Sequence, residues 1–186
     1  PNYRTKHRDN GQCTNHLQQE FNQKAPNLAW ASDFTYIKVN GKFCYLCIVM
    51  DLFSRKVIGW NLSGKHDADF TMKAFKNAYR GRDVRYGLLF HSDRGSEYTA
   101  FAFRQLLDSL NVVQSNKKKG YPFDNACCES FFKYLKKERT NRRTYRTFEE
   151  LRLDIFDYIE GFYNNRRPHG SLGYLTPNEM EAVYWD

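Results

Sequence analysis

The hydrophobic pattern of this chain changes its period near residue 65, and that change most narrows the folds open to it. Before it, three runs rich in aromatic and β-branched residues follow one another, and Asn40-Gly41, a strong hairpin signal, joins the first two. We predict strands at 30–39, 42–50 and 55–62, arranged as an antiparallel meander. Beyond residue 65, helical spacing alternates with short apolar runs, which predicts an α/β fold with helices on both faces of a mixed sheet.

The second half of the pattern predicts helices that alternate with two short strands. The strands are expected at 87–91 and 112–114, with a helix between them that Thr99 would cap. A third helix begins near residue 123. The buried faces of the first and third helices are marked by apolar residues three, four or seven positions apart: Phe70, Ala74, Phe75 and Ala78, and then Cys128, Phe131, Phe132 and Leu135.

Two capping boxes predict the helices at the end of the chain. Thr147 and Glu150 have the spacing of the first box, and the helix that follows is expected to run to about Phe162. A basic loop spans 164–173. Thr176 then begins a last short helix, with a proline in its first turn.

A length of 186 residues fits one domain. We divide it into an N-terminal arm or linker at 1–25, a core at 26–145 and a C-terminal helical extension of the core at 146–186. The chain opens on Pro1, as a fragment or a processed product does, and no signal peptide is recognisable. The longest apolar run has eight residues, too few for a transmembrane helix. Five cysteines, an odd number, indicate a reducing, cytoplasmic location.

Positive charge is concentrated in one segment. The formal net charge is +8, and residues 117–146 carry ten bases against three acids. Aromatic residues lie among these bases. A solvated helix face is one interpretation of such a segment, and a nucleic-acid surface is the other, which this concentration favours.

Three acids stand where a strand or a helix could direct them to a shared point. Asp33 lies among apolar residues of the first strand, a costly place for an acid unless it is paired or bound to metal. Asp93 follows the 87–91 strand, and open α/β sheets bind ligands at the carboxyl ends of their strands. Glu129 lies beside the apolar stripe of the third helix. Each acid alone could be an edge, turn or surface residue, and for Glu129 alone the helix surface is the favoured interpretation. Together they suggest carboxylates that hold divalent ions for phosphoryl transfer.

The sequence motifs around these acids, and two further motifs along the chain, resemble those of one family. They are WASDFTYI at 30–37, DLFSRKVIGW at 51–60, FHSDRGSEY at 90–98, DNACCESFF at 124–132 and YNNRRPH at 163–169. Over about residues 15–180 the chain resembles the DDE transposases with a retroviral-integrase-like core. More narrowly, it resembles the orfB product of bacterial insertion sequences of the IS-three type.

The resemblance implies an RNase H-like mixed five-stranded sheet, flanked by helices and carrying a C-terminal helical extension. It also implies a polynucleotidyl transferase, in which water and then a 3′-OH act as nucleophiles in DNA cleavage and strand transfer. Asp33, Asp93 and Glu129 would be its catalytic, metal-binding triad, with Mg²⁺ or Mn²⁺ and two ions in each site. The partners would be transposon-end and target DNA in a homo-oligomeric synaptic complex, associated with the nucleoid and not with a membrane.

Nine basic residues are candidates for DNA binding. Lys136 matches the basic residue that the family places seven positions after the glutamate, and helix geometry puts it on the same face as Glu129. The full set is Lys117, Lys118, Lys119, Lys133, Lys136, Lys137, Arg139, Arg142 and Arg143. The family reads its DNA ends with a helix-turn-helix region before the core, and residues 1–25 do not resemble one.

Two residues depart from the family pattern: Glu97, where a neutral residue is usual, and Cys128, where a small residue is usual. We expect Glu97 to face solvent or an arginine rather than to bind metal. Rival interpretations of the whole chain are an RNase H-like nuclease without joining activity, a catalytically inactive or domesticated DNA-binding protein and, less favoured, an RNA-binding protein.

Other reactive side chains have simpler explanations. A zinc site from His7, His16, Cys44 and Cys47 is disfavoured, because the two cysteines are three apart in a strand and point to opposite faces. His91 is expected to be hydrogen-bonded at a strand end, and the adjacent Cys127 and Cys128 to pack rather than react. Asp51 is expected to make a turn bond or an ion pair with Arg55.

Overall fold

The fold is that of a computed structural model, which describes residues 15–85, 87–116 and 125–186. One mixed sheet has five strands: β1 (Ala29–Val39), β2 (Lys42–Asp51), β3 (Val57–Ser63), β4 (Leu89–Ser92) and β5 (Val113–Asn116). Their order across the sheet is β3-β2-β1-β4-β5. The first three strands pair antiparallel, whereas β4 lies parallel to both β1 and β5. The predicted five-stranded sheet, a meander followed by parallel strands, is confirmed.

The helices are α1 (Ala68–Arg80), a single turn α2 (Ser96–Thr99), α3 (Phe101–Ser109), α4 (Ala126–Glu138), α5 (Phe148–Phe156) and α6 (Pro177–Trp185). A π-helical segment, Asp157–Tyr163, extends α5 to the end predicted for it, but with wider turns. Asn164 donates its backbone N–H to the Ile159 carbonyl five residues back, at 3.0 Å. None of the helices in the described ranges is long and apolar enough to cross a membrane.

Two apolar layers cover the sheet, one on each face. The first packs α1 and α3 against residues such as Trp30, Cys47 and Phe90. The second packs α4, α5 and the π-helical segment against residues such as Ala31 and Leu46. The predicted buried stripe of α4 is confirmed, since Cys128, Phe131, Phe132 and Leu135 are all buried.

Local capping signals decide where several helices begin. Both predicted capping boxes are present: the Thr147 and Thr176 side chains accept backbone N–H groups while Glu150 and Glu179 bond back. The prediction that Thr99 caps a helix is wrong. Thr99 ends α2, its hydroxyl donates to the Gly95 carbonyl at 3.0 Å, and Ala100 in extended conformation separates α2 from α3.

The C-terminal extension is fastened to the edge of the sheet. The Asn164 side-chain amide donates to the Val57 carbonyl and accepts the Val57 N–H, so one side chain satisfies the open edge of β3 as a neighbouring strand would. Tyr163 donates its hydroxyl to the Arg55 carbonyl at 3.2 Å. Arg167 pairs with Glu138 of α4 at 2.9 Å. The YNNRRPH motif therefore joins the end of the π-helical segment to the edge of β3 and to α4.

His169, in the same motif, predicts a pH dependence of stability. Burial, followed by the positive charges of Arg167 and Arg55, lowers the pKa of His169 from 6.5 to about 4. Between these values the unfolded chain binds a proton that the folded chain does not, so the free energy of unfolding falls as the pH drops from 6.5 to 4. Because the ring is partly exposed, we expect a slope below about 1 kcal/mol per pH unit.

Urea unfolding at several pH values between 4 and 7 measures this slope. His169→Gln should flatten the profile, whereas His16→Gln, at an exposed histidine, should leave it unchanged. Equal slopes in the wild-type chain and His169→Gln would contradict the assignment.

Candidate active site at the carboxyl end of the central strands

The parallel pairing of β1 and β4 brings Asp33 and Asp93 to the same end of the sheet. Ala31 of β1 is opposite His91 of β4. Asp33 and Asp93 each lie two residues beyond this pair. Both therefore lie just past the point where β4 stops pairing with β1. A backbone N–H orients each carboxylate: Phe34 donates to Asp33 Oδ1 at 2.8 Å, and Gly95 donates to Asp93 Oδ1 at 2.9 Å.

A buried hydroxyl pair supports the strand under Asp33. The Ser32 hydroxyl donates to the Ile48 carbonyl of β2 at 2.7 Å, and it lies 2.9 Å from the Tyr98 hydroxyl of α2. Because α2 begins just after Asp93, this pair connects the backbone that carries one acid with the backbone that follows the other. Sequence analysis did not identify either hydroxyl, since neither stands out from its neighbours.

Gly95 lies in close contact with two carboxylates in the turn after Asp93. A Cβ atom there would collide with the Glu97 carboxylate and lie 3.0 Å from Asp93 Oδ1. The turn therefore holds the Asp93 and Glu97 carboxylates against the same backbone.

The third acid, Glu129, is on α4, whose beginning is attached to β1. The Asn125 side chain donates to the Ser32 carbonyl at 3.1 Å, next to Asp33. Glu129 follows four residues later, about 6 Å along the helix. It lies on the exposed face of α4, above the buried stripe.

The charges of the three acids contribute to the raised pKa values of two buried thiols. Burial, with a smaller contribution from the charges of Asp33 and Asp93, raises the pKa of the Cys47 thiol to about 12. Burial and the charges of Asp33 and Glu129 raise the pKa of the Cys128 thiol well above its usual range. The charge of Asp33 contributes to the raised pKa of both thiols. Both cysteines are protonated packing residues.

The structure thus brings the three acids to the border of one region but does not close them into a ligand set. Within the described ranges, no three His, Cys, Asp or Glu side chains are close enough together to hold a metal ion. The donor chemistry nevertheless fits a hard divalent cation, which takes carboxylate oxygens. The triad assignment stays a prediction.

The expectation that Glu97 faces solvent or an arginine is wrong. Its side chain is 6% exposed, and its Oε1 lies 2.9 Å from Nδ1 of His66, in the loop before α1. The His66 ring stacks on Phe34 with centroids 6.0 Å apart and an interplanar angle of 17°. Glu97 therefore pairs with His66, and its carboxylate lies against the same turn as that of Asp93. Sequence spacing could not identify a pair whose members are 31 residues apart.

The lysines of α4 share a face with Glu129. Lys133 and Lys137 are exposed at four and eight positions beyond it, and Lys136 is half-buried at seven. The ammonium of Lys136 lies 5.1 Å from the centroid of the Tyr36 ring, which is near the hairpin end of β1. This face is the part of the predicted basic surface that the structure brings next to the candidate site.

Two of the candidate arginines instead join α4 to α5. Arg139 pairs with Asp154 at 3.1 Å and with Asp157 at 2.9 Å, and Arg143 pairs with Asp154 at 2.5 Å. Arg142 is exposed in the short turn after α4. Lys117, Lys118 and Lys119 lie outside the described residues.

The remaining reactive residues have structural roles. His91 is buried, with Nδ1 2.9 Å from the Ser115 hydroxyl, as expected for a strand end. Cys44 and Cys47 belong to opposite layers, as predicted. Burial raises the pKa of the Cys127 thiol, which fits packing.

Asp51 accepts the Phe53 N–H at 2.9 Å rather than a bond from Arg55. Its expected ion pair with Arg55 is wrong, since its ionic partner is Arg82 at 3.1 Å. Arg55 instead donates to backbone carbonyls, among them that of Phe21 at 2.7 Å.

Known proteins share this fold. The catalytic core domain of HTLV-2 integrase in complex with magnesium superposes with a TM-score of 0.63 at 16% identity, over 85% of this chain and 98% of that one. The catalytic domain of Mos1 mariner transposase gives 0.62 at 18% identity, over 73% and 71%. At these identities the likeness establishes the fold, which is RNase H-like as predicted.

Sequence relatives are closer. The transposase for insertion sequence element IS904 of Lactococcus lactis is 37% identical over 90% of this chain, and so is transposase InsF for insertion sequence IS3A of Escherichia coli. The matched stretch spans 66% and 58% of these relatives' lengths. Two models, both described as integrase core domain, match residues 23–122 and 110–177. The chain therefore belongs to the integrase core domain family, close to the insertion-sequence transposases of the IS3 type.

Proposed function

We propose that this chain is the catalytic core of a DNA transposase. It would cleave a phosphodiester at the end of an insertion sequence and join the resulting 3′-OH to a second strand. The proposal is supported by the pairing of β1 with β4, which stops two residues before Asp33 and Asp93, and by the Asn125 bond to Ser32, which attaches the start of the helix that carries Glu129, in a chain of the integrase core family. Transposon-end DNA, target DNA and further copies of the chain in a synaptic complex are the proposed partners.

The three acids are the proposed ligands for Mg²⁺ or Mn²⁺, with two ions in each site. Divalent ions, when bound, supply charge neutralisation on the attacking and leaving oxygens of phosphoryl transfer. The chain itself contributes orientation: backbone N–H groups of Phe34 and Gly95 fix the two aspartates before substrate arrives. No protein nucleophile is required, which agrees with the protonated, buried state of Cys47 and Cys128.

A strand-transfer assay tests the proposal against its rivals. A labelled duplex with a free 3′-OH is incubated with the 186-residue chain, supercoiled plasmid and Mn²⁺. Joining of the label to the plasmid supports a transposase. Metal-dependent nicking without joining would indicate a nuclease, and DNA binding without either product would indicate an inactive DNA-binding protein. A cytoplasmic, nucleoid-associated location stays a prediction that depends on this substrate.

The lysine face of α4 predicts the salt dependence of DNA binding. Replacing Lys137 with Ala should lower affinity for random duplex by about three- to tenfold at low salt, because one charge-assisted phosphate contact is lost. The slope of log affinity against log salt should fall by about one. Lys76→Ala, at an exposed lysine of α1, is the matched control and should change neither quantity. Fluorescence anisotropy at several salt concentrations measures both, and equal effects at the two sites would contradict the assignment.

Phosphate contacts position a protein on DNA but do not read sequence. We therefore expect this chain to prefer its own terminal-repeat duplex over random duplex by less than about tenfold, against roughly 10³-fold or more for dedicated sequence readers. Competition titration with the two duplexes at two salt concentrations measures the ratio. A strong preference for the repeat would show that this chain reads bases directly.

A further inference from the structure

We infer that Tyr36 and Phe43 form a stacking site for unpaired DNA bases beside the proposed active site. The inference rests on the proposed function, because it names the form in which DNA reaches that site. Base stacking on exposed aromatic rings is a common way in which proteins hold single-stranded DNA, and it tolerates any sequence because every base has a π-face.

The two rings form one exposed aromatic surface at the end of the β1–β2 hairpin. Tyr36 of β1 is 57% exposed and Phe43 of β2 is 48% exposed. Their centroids are 5.1 Å apart at an interplanar angle of 78°. Neither ring belongs to the two apolar layers, so the core does not explain why large aromatic side chains stand here.

Each ring has a lysine over it. The ammonium of Lys136 lies 5.1 Å from the Tyr36 centroid, and that of Lys38 lies 5.7 Å from the Phe43 centroid. Lysine stems are flexible, so these ammonium groups can move to the phosphates of a nucleotide whose base takes their place on the ring. Aromatic rings interleaved with cations are the combination that single-stranded DNA requires.

Other exposed rings of the molecule differ from this pair. Phe101, Tyr174 and Trp185 are at least as exposed, yet within the described part of the chain none has a cation over its ring. The lysine-covered pair is therefore a local feature and not a general property of this aromatic-rich surface.

The surface lies close to the candidate site along a single strand. Tyr36 is three residues from Asp33 in β1, about 10 Å at the rise of a strand, and the alternation along the strand directs its side chain to the opposite face of the sheet, the face of Trp30 and Phe34. That distance corresponds to about three stacked nucleotides at 3.4 Å each. Lys136 extends from the same helix face as Glu129, so α4 borders the region on one side. A strand whose phosphate reaches the acids would place nearby bases at Tyr36 and Phe43 by passing around the edge of β1, where Lys136 reaches from α4 to the Tyr36 ring.

Between Ala31 and Val39, no strand of the described residues pairs with the β4 side of β1. β4 pairs with β1 only as far as Ala31, and among the described residues the next partners on that side are the Asn125 side chain, which bonds the Ser32 carbonyl, and the single bridge from Val39 to Tyr145. Bases inside a duplex are already stacked on each other, so only an unpaired or opened end could use the two rings.

The test compares two DNA probes. One is a forked duplex with three unpaired nucleotides on each strand at one end, and the other is the same duplex with that end fully paired. The double variant Tyr36→Ala/Phe43→Ala should bind the fork about 5- to 100-fold more weakly than the wild-type chain does, which is the range for losing one stacked base. It should bind the paired duplex within about twofold of the wild type.

Three controls separate stacking from other causes. Phe101→Ala removes an equally exposed ring and should leave both affinities unchanged. Tyr36→Trp keeps a stacking surface and should retain affinity for the fork, with thermal melting used to check that all variants fold. A fork whose unpaired positions are abasic should bind the wild-type chain as weakly as the intact fork binds the double variant.

An unchanged affinity for the fork in the double variant would overturn the stacking site, and so would an equal loss on the paired duplex. These outcomes are distinguishable from failure of the proposed function. A wild-type chain that binds the fork through Tyr36 and Phe43 but yields no joined product with Mn²⁺ would remove the transposase activity alone. A chain that joins DNA while the double variant binds the fork normally would remove the stacking site alone.

Discussion

Asp33→Asn, Asp93→Asn and Glu129→Gln should each lower metal-dependent DNA cleavage by at least about a hundredfold, because a bound metal contributes several kcal/mol of charge stabilisation in phosphoryl transfer. Each substitution preserves the shape of the side chain and removes its charge. Affinity for duplex DNA measured without metal should stay within about threefold, or rise slightly, since one negative charge near the DNA is removed.

Matched controls come from exposed acids away from the site. Asp69→Asn on α1 and Glu149→Gln on α5 remove carboxylates that pair with Lys73 and Arg152 on their own helices. Both variants should cleave at the wild-type rate. The assay is single-turnover cleavage of a labelled duplex with Mn²⁺. Retained cleavage by Asp93→Asn would eliminate the proposed site.

Arg82→Met should lower the free energy of unfolding by about 3–5 kcal/mol, the usual cost of removing one partner from a buried ion pair. Arg82 joins two acids, Asp51 at 3.1 Å and Glu181 at 2.6 Å, and the Asp51 side chain is 0% exposed. Burial raises the pKa of Asp51 despite its bonds, which shows how costly its charge is there. At about 2–4 °C per kcal/mol for a chain of this size, we expect Tm to fall by about 6–20 °C.

Arg85→Met is the control for this prediction. Arg85 also pairs with an aspartate, Asp83 at 2.5 Å, but both side chains are exposed. Its loss should cost less than about 1 kcal/mol. Urea unfolding gives both values. If the two variants lose similar stability, Arg82 does not hold α6 to the core in the way that the structure indicates.

Much of the fold follows from local sequence signals. Asn40-Gly41 turns the first hairpin, and Thr147 and Thr176 begin helices, because each of these effects involves residues within four positions. The apolar period of α4 predicted its buried face for the same reason. The alternation of helix and strand then predicted the parallel part of the mixed sheet, because parallel strands such as β4 and β5 need a crossover connection between them.

What sequence analysis missed depends on residues distant in the chain. The partner of Asp51 is Arg82 rather than Arg55, and that of Glu97 is His66; each pair is 31 positions apart and forms only after the sheet and α1 have packed. Thr99 was predicted to cap a helix because threonine is a preferred capping residue. In the structure the Thr99 hydroxyl donates to the Gly95 carbonyl, and Ala100 is the residue that precedes α3. The wide turns after α5 have no local signal that we recognise.

For the candidate site, the sequence supplied the acids and the structure supplied their arrangement. The resemblance singled out Asp33, Asp93 and Glu129, and the pairing of β1 with β4 and the Asn125 bond to Ser32 explain why such distant residues border one region. The basic residues were predicted less sharply. Charge density alone could not separate the exposed Lys133 and Lys137 from Arg139, which is held by Asp154 and Asp157.

The most direct test of this account is anomalous diffraction from crystals of the chain grown with duplex DNA and Mn²⁺. We predict anomalous peaks about 2.1 Å from carboxylate oxygens of Asp33 and Asp93, with Glu129 turned toward them and a DNA phosphate in contact with the same ions. Peaks confined to other acids, or ions at Asp33 and Asp93 with DNA bound on a different face of the protein, would contradict it.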